Sequence, residues 1–186
     1  MGSVYKGLPI PIVNTFMQRI KFNTFIETGT FQGESALWAS NFFKEVYTIE
    51  ASKSLYDEYH DRLSKENIRH IYGDSRRILQ KLIESSIPTR LIWLDAHWVG
   101  DQVSYGKGDE APVLGELLTI PKGKGDNFIM IDDVRYFLSP NIPLPHNFKN
   151  WPNIGQIITL LRQIQDSDIV FIFDDVIISP LRELKK

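Results

Sequence analysis

From residue 22 onward, short unbroken apolar runs alternate with longer stretches in which apolar residues recur every three or four positions. The first pattern is that of a strand buried on both faces; the second marks a helix with one apolar stripe. Strands are predicted at about 23–27, 45–50, 68–72, 90–95, 127–132, 168–174 and 176–179, and helices at about 33–43, 53–65, 75–86, 110–120 and 153–166. Ser52 is placed to cap a helix carrying Leu55, Tyr59 and Leu63 on one stripe. Ser75 is placed to cap the next, which turns Ile78, Leu79, Leu82 and Ile83 toward the sheet. "SIPTR" (86–90) and "PKGKGDN" (121–127) read as loops. Ahead of residue 22, Ile10, Ile12, Val13, Phe16 and Met17 predict a leading helix that packs on the sheet or over a site.

In "DIVFIFDDVIISP" only Asp174 and Asp175 separate two β-rich runs, too few residues for a crossover helix, so the last two strands form an antiparallel hairpin. The expected fold is therefore α/β: a doubly wound, Rossmann-like sheet of seven strands, mostly parallel with an antiparallel seventh strand, and helices on both faces. A length of 186 residues fits one domain, with 1–21 as its leading helix or cap.

Composition narrows the chemistry. Twenty-one basic residues face 23 acidic ones, and the only basic doublets are Arg76-Arg77 and Lys185-Lys186, which argues against a nucleic-acid partner. The absence of cysteine removes disulfides, thiolate catalysis and thiolate zinc sites together. No apolar run reaches the length of a membrane span and the first residues lack signal-peptide order, so the expected location is cytoplasmic.

The stretch "FIETGTFQGESALW" runs from strand to helix through two glycines four apart. Gly29 and Gly33 allow a tight turn and a close ligand, and Glu34-Ser35 start the helix. Glu27, at the strand end, would repel a pyrophosphate and hold a cation. Strand two ends in Glu50, 23 residues later, where an acid accepts from ribose hydroxyls, and strand three ends in Asp74, where a carboxylate accepts from an exocyclic amine. Each acid alone also fits a helix-capping role. Three at successive strand tips point to a ligand.

Here the chain resembles the class I S-adenosylmethionine-dependent methyltransferases over residues 22 to 180. In that family the E-x-G-x-x-x-G turn contacts the methionine part of the cofactor, the strand-two acid binds ribose, the strand-three G-D pair contacts adenine, and an antiparallel seventh strand closes the sheet. Carried onto this sequence, the resemblance implies a cofactor set of Glu27, Thr28, Gly29, Gly33, Ser35, Glu50, Ala51, Asp74, Ser75 and Asp95. One departure is Phe31, which replaces the middle glycine of the usual E-x-G-x-G-x-G, a variation similar to that of the catechol-type and macrocin-type O-methyltransferases.

Strand four, "RLIWLDAHW", and strand five, "NFIMIDDV", end in Asp95 and in Asp132-Asp133. Buried carboxylates need neutralising, and a hard divalent cation such as Mg²⁺ would do it. The three aspartates resemble the metal site of the macrocin-type and catechol-type enzymes; alternatively, one caps a helix and the others are solvated at a cleft edge. His97 lies on the same side of an extended chain as Asp95, and either removes a proton from a substrate hydroxyl, with Asp95 beside it, or is structural. Trp98 walls the site or packs. The loops 99–110 and 135–153, with Asp109, Glu110 and His146 as further polar candidates, are expected to carry specificity or act as lids.

The reading is methyl transfer from S-adenosylmethionine to a hydroxyl of a small-molecule acceptor, with Mg²⁺ assisting. A nucleotide-dependent NAD(P) oxidoreductase or a non-catalytic binding domain are the alternatives. Whether the chain forms a homo-oligomer is left open.

Overall fold

The computed structural model describes residues 7–84, 89–98, 108–121, 127–138 and 147–181. Its sheet has seven strands: β1 (Thr24–Thr28), β2 (Glu45–Glu50), β3 (Ile68–Tyr72), β4 (Arg90–Leu94), β5 (Asn127–Ile131), β6 (Phe171–Phe173) and β7 (Val176–Ser179). They lie in the order β3-β2-β1-β4-β5-β7-β6. The first five are parallel, and β7 runs antiparallel to both β5 and β6. The order of the strands reverses at β1, with β2 and β3 on one side and β4 and β5 on the other. At that reversal, crevices open beyond the carboxyl ends of the strands.

The residues of β1, β4 and β5 are all buried, as unbroken apolar runs demand, and their side chains alternate between two cores. Leu91, Trp93, Phe128, Met130, Val176 and Ile178 face one side. There they meet α1 (Ile10–Met17) and α2 (Glu34–Ala39), with the Phe16 and Phe128 rings 4.6 Å apart. Ile92, Leu94, Ile129, Ile131 and Ile177 face the other, against α4 (Ser75–Glu84), α5 (Val113–Thr119) and α7 (Ile154–Gln165). The leading helix thus packs on the sheet through Val13, which is fully buried.

Several elements are shorter than their predicted spans. The helix predicted at 53–65 is α3 (Lys53–Tyr59) followed by a separate 3₁₀ turn, Asp61–Leu63, and β6 covers only the last part of 168–174. A short helix, α6 (Val134–Leu138), occupies the start of the stretch read as a loop. It exists because Asp175, in the β6–β7 turn, holds its first turn: the Val134 N–H donates to the Asp175 carbonyl at 2.9 Å and the Arg135 N–H to its carboxylate at 3.0 Å. That support comes from 40 residues away, which local spacing does not reveal. Among the described residues no helix is long and apolar enough to cross a membrane.

Candidate functional site

The turn after β1 carries three left-handed residues, Gly29 (φ 82°), Phe31 (φ 47°) and Gly33 (φ 76°). It leans on β2 through N–H donation from Gly29 and Thr30 to the Ile49 carbonyl, at 2.9 and 3.2 Å. Glu27 lies beneath the turn with 2% exposure and accepts from the Thr48 hydroxyl at 2.6 Å, while the Thr30 and Thr48 hydroxyls are 2.7 Å apart. Burial is the main force on its carboxyl, outweighing the Thr48 and Ser35 hydroxyls, and pushes its pKa up to about 8.

Glu50 ties two turns together. One of its oxygens accepts the Phe31 N–H at 2.9 Å and the other the Ser52 N–H at 2.8 Å. Asp74 at the tip of β3 caps α4 by accepting the Arg76 N–H at 2.9 Å, and its carboxylate also takes the Arg76 guanidinium at 3.0 and 2.7 Å. Those side-chain bonds hold Asp74 below the ordinary carboxylate range. Arg76 reaches on to Asp109 at 2.8 Å, so the predicted adenine acid is part of an Asp–Arg–Asp bridge.

These tips surround a cleft of about 700 Å³. Of the predicted residues, Gly29, Glu50, Ala51, Asp74, Ser75, Asp95 and His97 line it; Glu27, Thr28, Gly33, Ser35, Asp132 and Asp133 are not on its wall. Ser35 instead accepts the Leu8 N–H at 3.2 Å, under the leading segment. Phe31, Tyr72, Arg76, Asp109 and Trp98 also line the cleft. Sequence spacing had singled out neither Tyr72 nor Arg76, though Arg76 follows a strand-tip acid by two residues and starts a helix, a recognisable pairing position.

At the tips of β4 and β5, Asp95 and Asp133 both face one ring. His97 lies between them, its Nδ1 3.6 Å from an Asp95 oxygen and its Nε2 hydrogen-bonded to Asp133. Burial alone would lower the pKa of this imidazole, but the Asp133 hydrogen bond and the charges of Asp95, Asp133 and Asp132 raise it to about 9. Asp133 also pairs with Arg135, which pairs with Asp175. Burial would raise Asp133, yet its His97 and Arg135 partners hold it low. Asp132 accepts the Asp133 N–H at 2.8 Å; burial, then the charge of Asp133, push it up to about 6. Burial and Asp132 also raise Asp95 well above its usual range.

Asp95, Asp132 and Asp133 are the residues expected to hold a metal. Among the described residues no group of three or more His, Asp or Glu side chains converges to hold an ion. The Asp133 carboxylate is turned toward two cationic side chains, through a backbone at φ 58°.

Glu110, 4% exposed, closes the far side. Its oxygens accept the Asn147 N–H at 2.9 Å and the Trp151 indole N–H at 2.8 Å, while its carbonyl accepts the Trp98 N–H at 2.8 Å. Trp151 then packs edge-on to the His97 ring at 5.7 Å and against Tyr136 at 5.0 Å. Glu116, buried in α5, has its carboxyl raised to about 7 by burial, partly offset by the Ser75 and Thr28 hydroxyls. Residues 99–107 and 139–146 of the two predicted loops, His146 included, lie outside the described residues.

Solved structures place this architecture. A Staphylococcus aureus protein assigned as a caffeoyl-CoA O-methyltransferase superposes with a TM-score of 0.62 at 14% identity, over 96% of this chain and 85% of that one. A Streptococcus mutans protein assigned as a methyltransferase, solved with S-adenosylhomocysteine, gives 0.53 at 15% identity, over 95% and 100%. The chain has the class I methyltransferase fold. A third structure of this methyltransferase fold, an S-adenosylmethionine-dependent enzyme from Aquifex aeolicus, gives 0.51 at 12% identity, over 89% and 86%. No protein-family model matches the sequence, and no curated protein does. Identity this low carries the fold and leaves the reaction to be argued from the site.

Proposed function

We propose that this chain is an S-adenosylmethionine-dependent methyltransferase that modifies a hydroxyl group of a small molecule. One observation carries the reading: Glu50, Asp74 and Asp95, from three strand tips, line a single cleft with the backbone of Gly29, in a methyltransferase fold. Glu50 suits ribose hydroxyls, Asp74 with Arg76 the adenine edge, and Gly29, with no Cβ, the methionine part against the turn. Glu27 lies behind that turn and favours a cationic sulfur once it ionises.

Transfer requires acceptor oxygen, methyl carbon and sulfur in line, and positioning supplies most of the acceleration. The oxygen–carbon bond forms as the carbon–sulfur pair returns to sulfur, leaving a neutral thioether. The hydroxyl proton goes to Asp95, the one aspartate of the β4–β5 cluster on the cleft wall. His97, expected as the base, is held as a cation at neutral pH and orients Asp95 instead.

The test is binding. S-adenosylhomocysteine at about a hundred times its dissociation constant should add about 2.7 kcal/mol, a rise of several degrees in melting temperature. NAD⁺ and NADP⁺ should leave it unchanged. Stabilisation by a nicotinamide cofactor alone, or by none of the three, would overturn the reading.

A further inference from the structure

The enzymes whose strand-tip aspartates this sequence resembles neutralise them with a divalent ion. In this chain two side chains already stand there. The Asp133 carboxylate receives His97 on one oxygen and Arg135 on the other. Arg135 is paired in turn with Asp175, and His97 faces Asp95, giving an unbroken line Asp175–Arg135–Asp133–His97–Asp95 in which acid and base alternate. Asp175, Asp133 and His97 keep side-chain exposures of only 12%, 8% and 6%. The ring occupies one Asp133 oxygen with Nε2 and turns Nδ1 toward Asp95. Arg135 occupies the other oxygen with a guanidinium that stays charged.

The line is built by the backbone. Asp133 adopts a left-handed conformation that an aspartate tolerates, and α6 begins at the next residue. Asp175 fixes both ends of Arg135, accepting its N–H at 3.0 Å and pairing with its guanidinium. An octahedral ion on Asp133 would have to displace donors from both oxygens of a buried carboxylate.

We propose that Arg135, with His97, takes the electrostatic place of the divalent cation in this fold, so that the acidic cluster is closed by the chain's own cations and takes up no Mg²⁺. That the closed cluster serves methyl transfer rests on the function proposed above; that it excludes metal does not.

Protein dialysed against EDTA and titrated calorimetrically with MgCl₂ and with MnCl₂ should show no saturable uptake up to about millimolar ion. The ring resonances of His97, in histidine-labelled protein, should stay sharp as paramagnetic Mn²⁺ is added. Saturable uptake with selective broadening of His97 would overturn the proposal. Arg135→Gln should gain Mn²⁺ uptake, and Arg135→Lys, which restores the charge, should lose it again. A folded Arg135→Gln variant as indifferent to metal as the wild type would equally overturn it; if that variant fails to fold, the wild-type titration decides alone. S-adenosylhomocysteine added to the same wild-type sample separates the two readings: failure to bind it sinks the proposed function and leaves the metal result standing.

Discussion

Gly29 approaches the backbone of Asp95 so closely that a Cβ on it would stand 2.3 Å from the Asp95 carbonyl oxygen. The tips of β1 and β4 therefore touch through main chain, and a ligand at one is next to the other. Because the obstacle is backbone, it cannot swing aside. Gly29 also has φ 82°, which costs a side-chain-bearing residue roughly 1–2 kcal/mol by itself. Gly29→Ala should lose about 2–4 kcal/mol in chemical denaturation and fail to bind S-adenosylhomocysteine. Gly33→Ala should be milder, since its Cβ would meet the Leu63 side chain rather than backbone. Equal effects would show that contact with Asp95 does not organise the turn.

Glu27 gives the fold a stability that depends on pH in an unusual direction. Its pKa is raised by burial from an ordinary 4.5 to about 8, so between those values the native state holds a proton that the unfolded chain has released. The native form then binds more protons, and stability falls as pH rises through this window. Glu27→Gln, neutral throughout, should leave stability at pH 4 nearly unchanged and raise it at pH 9 by on the order of a few kcal/mol. Uptake of the sulfonium cofactor should release protons near pH 7, seen as a buffer-dependent binding enthalpy, and the variant should not show it. A variant less stable than the wild type at pH 9 would mean that Glu27 is ionised and satisfied in the native state.

The carboxylates at the β4 and β5 tips should set the low-pH edge of any activity. Asp95 is raised by burial and by Asp132, and Asp132 itself reaches about 6. A proton acceptor works only once deprotonated, so the rate with a competent acceptor should still be climbing with pH above the ordinary carboxylate range. Asp132→Asn removes the charge that most opposes ionisation of Asp95 after burial itself, and should move the rising limb to lower pH. An unmoved limb would exclude Asp95 as the group that takes the proton.

The sheet was legible because its evidence is local. Runs such as "FIMI" and "LIWL", the short Asp174-Asp175 link and the strand-tip acids all sit within a few residues of what they specify. What spacing missed depends on contacts between distant segments. Nothing near Arg135 announces that Asp175 will start its helix, or that Asp133 will pair with His97. The acids alone suggested a bound ion; the answering cations, Arg135 and a charged His97, become visible only once β5 and the β6–β7 turn are side by side. Arg76 is similar: a residue that entered only as half of a basic doublet is held by Asp74 and, across 33 residues, by Asp109.

Arg76 should matter more for the ligand than for the fold. Its side chain and that of Asp74 are 40% and 38% exposed, so water screens the pair and its contribution to stability should stay below about 1 kcal/mol. The same pair fixes the direction of the Asp74 carboxylate on the cleft wall and links it to Asp109. Arg76→Ala should shift the melting temperature by only a few degrees while weakening S-adenosylhomocysteine about fivefold, and Arg76→Lys, without the planar fork, should recover little of that. Unchanged affinity would remove Asp74 from the nucleoside end of the site.

Glu110 should behave in the opposite way. It is buried, and its carboxylate is an acceptor for two donors from a segment far along the chain, the Asn147 N–H and the Trp151 indole N–H. Glu110→Ala removes this acceptor from both, and for the buried Trp151 indole N–H the loss costs about 1–3 kcal/mol. Trp151 then loses what aims it at His97 and Tyr136, so the wall beside the charged ring loosens. Glu110→Gln keeps one carbonyl oxygen and should suffer roughly half the loss. Hydrogen exchange at residues 147–151 reads this directly: it should accelerate in the alanine variant, less in the glutamine one, with exchange in β1 and β2 unaltered. Slow exchange at 147–151 in Glu110→Ala would mean that aromatic packing, not the carboxylate, holds this segment against the site.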